Sequence, residues 1–353
     1  MSRTINDILH SECIEASAPC RIDMGGTLDI SSFFYPLSHL HPCTFNIALA
    51  MRTRVTILPF EKGHIKISSK GFESAAFPIE NVPFDHPMGL MFAIAAYFQI
   101  DGIHIMIESG SPPCSALGGS SVAAVALVSA LNLLMFKAGR PTVSRERIPL
   151  LAHGIEESVA GVPCGLQDQL AAFFGGINAW YWKGNGDPRT YIQRPLAHQQ
   201  PYPDLSNQLL VAYCGIPHES KNINSQWVKR FIHGECRTQW VEIAKATRAF
   251  VEAFASFDIS EAVKQMNRDT AIRVEMTPDV LDDTGTALVA SALDHDCGAR
   301  FTGAGGGGCL WALGTPEKIA QLRVAWKHEL LKIKTARLLP VDIDSDGLLT
   351  GSY

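Results

Sequence analysis

Four segments of the 353-residue chain place chemistry-bearing side chains beside glycines or at helix starts. In 154–176, GIEESVAGVPCGLQDQLAAFFGG, Glu156 or Glu157 falls near the end of a helix and Asp168 follows a Gly-bearing turn. Phosphorylation of a hydroxyl needs one carboxylate on a metal and a second facing the acceptor. The metal neutralises phosphate charge, and the second carboxylate orients the attacking hydroxyl or takes its proton. The plainer alternatives are a solvated helix face for Glu157 and a capping aspartate for Asp168.

In 111–135, SPPCSALGGSSVAAVALVSALNLLM, residues Gly118, Gly119, Ser120 and Ser121 stand directly before a charge-free run. Bare amides at a helix N-terminus hold anions, such as a nucleotide's phosphates. An ordinary tight entry into a buried helix has the same composition, and nothing inside the stretch separates the two readings. No G-x-x-x-x-G-K-[ST] lies near it, so a phosphate would rest on amides, the helix dipole and serine hydroxyls. A serine there could also complete a magnesium shell, which takes oxygen ligands and keeps bound water.

The other two segments are weaker alone. In 16–34, ASAPCRIDMGGTLDISSFF, Arg21, Asp23 and Asp29 surround two glycines and read as a loop. They form either a surface ion pair worth little or a set for the hydroxyls of a polar substrate. In 300–313, RFTGAGGGGCLWAL, five glycines in six positions exceed the needs of a turn and let main chain approach a ligand or another loop.

These segments need a scaffold, and periodicity outlines one. Residues 52–60 and 64–68 read as paired strands, Asp85 as the cap of a helix through 86–100, and 102–110 as a half-buried strand with Ile103, Ile105 and Ile107 on one face. That strand runs into the 111–135 stretch, making a strand–loop–helix unit. Ile148, Leu151, Ile155 and Val159 mark a helix ended by Gly161 and Pro163, and 168–182 reads as a short helix or turn followed by a strand. Further on, strands at 208–214, 299–303, 309–313 and 335–342 alternate with helices near 222–233, 236–256, 258–268, 278–294 and 315–331. This is an α+β layer pattern. The length favours two domains, and the polar, Pro-bearing segment LAHQQPYPDLSN puts the boundary between 1–204 and 205–353.

Composition removes several function classes. The formal net charge is −5 and no basic stripe is interleaved with aromatics, so nucleic acid is not expected as a partner. The N-terminus lacks the apolar core of a signal peptide. The one long charge-free run contains Ser129 and Asn132, so a buried helix is expected and not a membrane span. Nine scattered cysteines, without CxxC or finger spacing, read as reduced thiols in a cytoplasm. Phe33, Phe34, Tyr35 and Trp180 are expected in the core ahead of a pocket.

Taken in order, the four segments resemble those of the GHMP kinases, the family of galactokinase, homoserine kinase, mevalonate kinase and phosphomevalonate kinase. PCSALGGSSVA, from Pro113, is similar to the family's P-x-x-x-G-L-G-S-S-A loop, and TGAGGGGC at 302–309 to its C-terminal glycine motif. IEESVAGVPCGLQDQ is similar to the galactokinase segment ending in C-G-x-x-D-Q, and APCRIDMGGTLD to the first motifs of galactokinases and heptose phosphate kinases. The resemblance implies an S5-like N-terminal domain and a ferredoxin-like C-terminal domain. It implies ATP held by Pro113, Ser115, Leu117, Gly118, Gly119, Ser120 and Ser121, with Mg²⁺ on Ser120 and Glu156. Asp168 would face the acceptor hydroxyl, with Arg21 beside it and the γ-phosphate.

The same resemblance puts Asp23, Asp29, Gly165 and Gly305 on a sugar or sugar-phosphate acceptor, with His41 supplying a further hydroxyl-binding group near the first motif. The expected activity is an ATP-dependent sugar kinase. The alternatives are a kinase for heptose phosphate or another small acceptor, and a non-catalytic sugar- or nucleotide-binding relative. The oligomeric state, monomer or dimer, is left open. Cys20 and Cys114 stand where the family carries glycine, Gly119 replaces the first serine of its pair, and Arg21 and Asp29 are one residue closer than the family's Arg and Asp.

Overall fold

A computed structural model describes residues 3–184, 190–196, 205–216 and 220–352. The expected domain boundary falls in 197–204, outside the described residues.

Two sheets organise the chain. The larger has eight strands, in the order Leu349–Ser352, Ile14–Met24, Cys43–Pro59, Ile103–Ser109, His64–Ser69 and Ala75–Pro78, with Ile177–Trp182 also paired to Cys43–Pro59 and Tyr191–Pro195 paired to Ile177–Trp182. The smaller has four antiparallel strands in the order Arg337–Leu339, Leu209–Tyr213, Cys309–Leu313 and Gly298–Phe301. Helices pack on both, giving an α+β architecture in two layers. The C-terminal tail returns to the first sheet, where Ile14–Ser17 pair with 349–352.

Arg21 and Asp23 were expected in a loop, but they lie inside the strand Ile14–Met24. Both faces of that strand are covered from Ala18 onward, so its polar residues carry no outward alternation. Its pairing with Cys43–Pro59 slips between Pro19 and Cys20. Such a bulge re-aims the side chains that follow it, and Arg21 is the next residue.

The expected strand–loop–helix unit is present. Ile103–Ser109 leads through a loop into the helix Gly119–Lys137. That helix is long and apolar enough to cross a membrane, but 72% of its apolar window is buried inside the fold. A helix apolar all round is satisfied by burial on all sides, and here it contacts the first sheet and its neighbouring helices. The helix expected after Asp85 starts later, at Gly89, with Met88 at its N-cap. A β-carbon at position 89 would stand 2.0 Å from the Phe84 carbonyl oxygen, so only glycine fits where the chain folds back on itself. The helix expected at 258–268 continues to Met276, and 278–294 divides into a short 3₁₀ turn and Asp283–Asp294.

Candidate active site

The loop before Gly119–Lys137 is built of main chain in uncommon conformations. Cys114 and Ala116 take φ of +51° and +61°, and Gly118, at the N-cap, takes +80°. A glycine has no side chain to cap with, so the first amides of the helix are left for other acceptors. The glycine run 303–308 lies against this loop. A β-carbon at position 308 would come within 2.8 Å of the Ser115 carbonyl oxygen, which explains a glycine there. Gly303, Gly305, Gly306, Gly307 and Gly308 all have positive φ, a backbone path closed to most other residues.

Beneath the loop, Arg21 clamps Asp168. Its Nε donates to Asp168 Oδ1 and its Nη2 to Oδ2, both at 2.8 Å, while Nη1 donates to the Ala116 carbonyl at 2.6 Å. The Arg21 amide donates to the Leu117 carbonyl at 3.1 Å, fastening strand to loop. Burial alone would weaken the Arg21 charge, but Asp168 and Asp23 more than offset it and hold the guanidinium protonated well above its ordinary range.

Glu156 lies across from Asp168 on the helix Ile148–Ala160. Its Oε2 accepts from Ser121 Oγ at 2.8 Å and Gln169 Nε2 at 2.6 Å. Burial, with the Asp168 charge, nevertheless pushes its carboxyl above the ordinary range. Ser120, Glu156 and Asp168 all line one cavity of about 410 Å³. A carboxylate that burial makes costly to ionise, next to a serine hydroxyl and a second carboxylate, is an oxygen donor set suited to Mg²⁺, which takes few protein ligands and keeps water and phosphate oxygens. The residues fit the ion.

Close to Asp168, Asp29 Oδ2 accepts the amide of Gln167, the residue preceding Asp168, at 3.0 Å. Its Oδ1 is buried without a hydrogen-bond partner among the described residues. Burial, aided by the Asp168 and Asp23 charges and opposed by the Gln167 amide, pushes the Asp29 carboxyl up to about 6. Gly165 touches it so closely that a β-carbon would stand 1.9 Å from Oδ2.

The structure therefore brings together Arg21, Asp29, Pro113, Ser115, Gly118, Gly119, Ser120, Ser121, Glu156, Gly165 and Asp168 on one cavity. It separates others from that wall. Asp23 is fully buried: Oδ1 accepts the Gly303 amide at 2.7 Å and Oδ2 accepts Arg300 Nη1 at 3.1 Å, so neither oxygen faces a ligand. The Leu117 side chain lies in the core, and only its carbonyl serves the site. Gly305 packs on Val280, where a β-carbon would meet the carbonyl at 2.6 Å. His41 is exposed and does not line the cavity. Phe33, Phe34 and Trp180 are core as expected, while Tyr35 is exposed. Burial pushes the Cys20 and Cys164 thiols up to about 12, which removes them as nucleophiles.

Sequence reasoning missed two parts of the cavity. The first is an apolar part of its lining, formed by Phe72, Met88, Met91 and Ile107, with Lys70 and Ser109 also in the lining. Apolar residues in a sequence look like core, and only the fold shows them facing a void. The second is a polar set at the Asp29 end, made by Thr27, Gln167 and Asn224. Thr27 Oγ1 donates to Asn224 Oδ1 at 3.2 Å across the two layers. Asn46 Nδ2 donates to Gln167 Oε1 at 3.2 Å, and Trp180 Nε1 donates to Asn46 Oδ1 at 2.7 Å.

Comparison with known proteins agrees with this arrangement. The family of GHMP kinases N terminal domains matches residues 87–176, and the family of GHMP kinases C terminal domains matches 250–332. A mevalonate kinase of Thermococcus onnurineus is 24% identical over 304 residues, 79% of this chain and 84% of that protein. The structure of Lactococcus lactis galactokinase complexed with galactose superposes with a TM-score of 0.73 at 17% identity, covering 97% of this chain and 96% of its own. A D-glycero-D-manno-heptose 1-phosphate kinase from Bacteroides thetaiotaomicron gives 0.68 at 16% identity, covering 96% and 98%. GHMP kinases are phosphotransferases that use ATP, generally with Mg²⁺, on small-molecule acceptors. With both of its domains matched in order along the chain, this protein belongs to the GHMP kinase family.

Proposed function

We propose that this kinase transfers the γ-phosphoryl group of ATP to a hydroxyl of a monosaccharide or similar polyol. The observation that carries the reading is the polarity of the acceptor end. Asp29 lines that end, its buried Oδ1 without a hydrogen-bond partner among the described residues, and Thr27, Gln167 and Asn224 line it as well. Among the described lining residues the cations are Arg21 and Lys70. Arg21 is bound to Asp168, and Lys70 precedes Gly71, which packs against Pro113 of the loop. A carboxylate acceptor would face Asp29 and Asp168 without a free cation, whereas hydroxyl donors match carboxylate and amide acceptors.

In this reading the main chain of 113–121 cradles the phosphates and the apolar part of the lining takes the base. Mg²⁺, when bound, neutralises phosphate charge, and Ser120 and Glu156 would hold it. Asp168 orients the acceptor hydroxyl and takes its proton as the new bond forms. Arg21 fixes Asp168 by two hydrogen bonds and adds positive charge beside the migrating group. Such transfer depends chiefly on positioning and charge stabilisation, so Asp168 need not be a strong base.

Phosphorylation of a carboxylate alcohol is the second reading, favoured by the mevalonate kinases among the relatives. A screen for ADP release with MgATP across hexoses, pentoses, heptose phosphates, uronic acids and mevalonate separates the two. Turnover of a neutral sugar is expected. Turnover of mevalonate in preference to every sugar overturns the reading.

A further inference from the structure

We infer that Arg300 is a positioning residue for the Arg21–Asp168 pair, acting through Asp23 as the end of a buried chain of charges anchored in the second layer. The inference rests on the role proposed for Asp168. Starting from the cavity, Asp168 is bound by Arg21, and Arg21 Nη1 lies 3.5 Å from Asp23 Oδ1. Asp23 Oδ2 accepts from Arg300 Nη1 at 3.1 Å, and Arg300 Nε donates to Asp269 Oδ2 at 2.8 Å. Arg273 Nε reaches both oxygens of Asp269 at 3.1 Å, and its Nη2 donates to the Gly26 carbonyl at 2.8 Å. Arg273 also packs over Trp227 and Trp240, at 5.2 and 5.1 Å from the ring centroids.

The side chains of Arg273, Arg300, Asp23 and Asp269 are entirely without exposure. Three arginines alternate with three aspartates, so the interior charge balances only if every member is present. Within this chain, Arg273 Nη1 and Arg300 Nη2 remain buried without a hydrogen-bond partner among the described residues. Buried ion pairs with incomplete hydrogen bonding are a poor source of stability compared with apolar packing. What the chain does provide is direction. Oδ1 of Asp23 is fixed by the Gly303 amide and Oδ2 by Arg300, and the Asp23 main-chain carbonyl accepts Trp311 Nε1 at 3.0 Å. The Asp23 carboxylate therefore cannot rotate, and it limits where the Arg21 guanidinium can lie. Arg300 lies on the strand that leads into the glycine run, and that run, through Gly303 and Gly308, packs on Ser115 and Ala116 of the loop. The same segment thus sets both the loop and the clamp on Asp168.

The test uses the full-length protein with Arg300→Met, Arg300→Lys and Asp23→Asn. Two measurements are made on each: the Nε–H resonance of Arg21 in a ¹⁵N spectrum, assigned by loss in Arg21→Lys, and kcat and KM with the accepted sugar. Mg-AMPPNP affinity serves as a control for the loop. In the parent protein the Arg21 resonance is expected to be resolved and protected from exchange. In Arg300→Met it broadens or loses protection and kcat falls about 10²-fold, as a small misplacement of reacting groups does. Acceptor KM and AMPPNP affinity stay within about threefold, and Arg300→Lys recovers part of kcat. If Arg300→Met does not fold, Asp23→Asn, which keeps the side-chain shape, decides by the same readouts. An unchanged Arg21 resonance overturns the inference, and so does a kcat within about twofold of the parent. The resonance needs no acceptor, so it still decides if no sugar is phosphorylated, an outcome that would count against the proposed function alone.

Discussion

The two halves of the cavity are built on opposite principles. The side proposed for phosphate, 113–121 with 303–308 behind it, is main chain with left-handed residues at Cys114, Ala116 and Gly118 and along the glycine run, and Ser120 is its exposed hydroxyl. The side proposed for the acceptor is made of buried side chains: Arg21, Asp29, Gln167 and, half-buried, Asp168. A site made of amides binds by its path, so it tolerates changed side chains such as Cys114 and Gly119 as long as the path survives. A site made of buried charges binds by identity, because each charge is compensated by one particular neighbour. Substitutions should therefore separate the two halves cleanly.

The sharpest separation is expected from Asp168→Asn. It should lower kcat by about 10³-fold, the range associated with a positioned proton acceptor, while Mg-AMPPNP affinity stays within a few-fold. Turnover near the parent level would remove Asp168 from the chemistry and make the acceptor side as tolerant as the loop.

Next in size is Asp29→Asn, read by unfolding at two pH values. The Asp29 carboxyl is raised from 3.8 to about 6, so the folded state holds its proton more tightly than the unfolded chain. Its stabilising contribution is complete below the unfolded value and is lost as pH rises through about 6. At pH 7.5 the variant, which has no charge to bury, should be more stable than the parent by about 3 kcal/mol. At pH 4 the difference should nearly vanish, and acceptor KM should rise throughout. A variant less stable at both pH values contradicts the burial argument.

Smaller effects belong to the loop. Ser120→Ala should weaken Mg²⁺-dependent nucleotide affinity roughly tenfold, in line with losing one oxygen near the ion, without altering Mg²⁺-free binding. Equal affinity in both conditions would take Ser120 out of the metal shell. Cys114→Gly should change stability by less than about 1 kcal/mol. Relief of a left-handed φ at +51° is partly offset by the greater freedom of glycine in the unfolded chain, and a loss beyond that range would mean the side chain of Cys114 supports the loop.

The same contrast explains what could be read before the fold was known. The loop is legible because its signals are local: glycines, serines and an uncharged run follow one another within 111–135. Ile103, Ile105 and Ile107 announce the strand before it by alternation alone. The acceptor side is legible only in part. Asp168 and Arg21 stand out beside glycines, but their shared role comes from the family resemblance, since they lie 147 residues apart without any local sign that they pair. Asp23 was misplaced because its partner Arg300 is 277 residues away, and a carboxylate next to glycines reads as a ligand-binding group when its compensating charge is invisible. The strand around it went unread for the same reason, since Arg21 and Asp23 break the apolar run that marks a doubly covered strand. Met88, Met91 and Phe72 gave no sign of facing a cavity, because composition cannot tell a cavity wall from a core.

The most direct test of the account is a crystal structure with Mg-AMPPNP. The account predicts the triphosphate against the main chain of 113–121, the magnesium within reach of Ser120 and Glu156, and the base among Phe72, Met88 and Met91. A nucleotide bound anywhere else, or a magnesium that touches neither Ser120 nor Glu156, would contradict it.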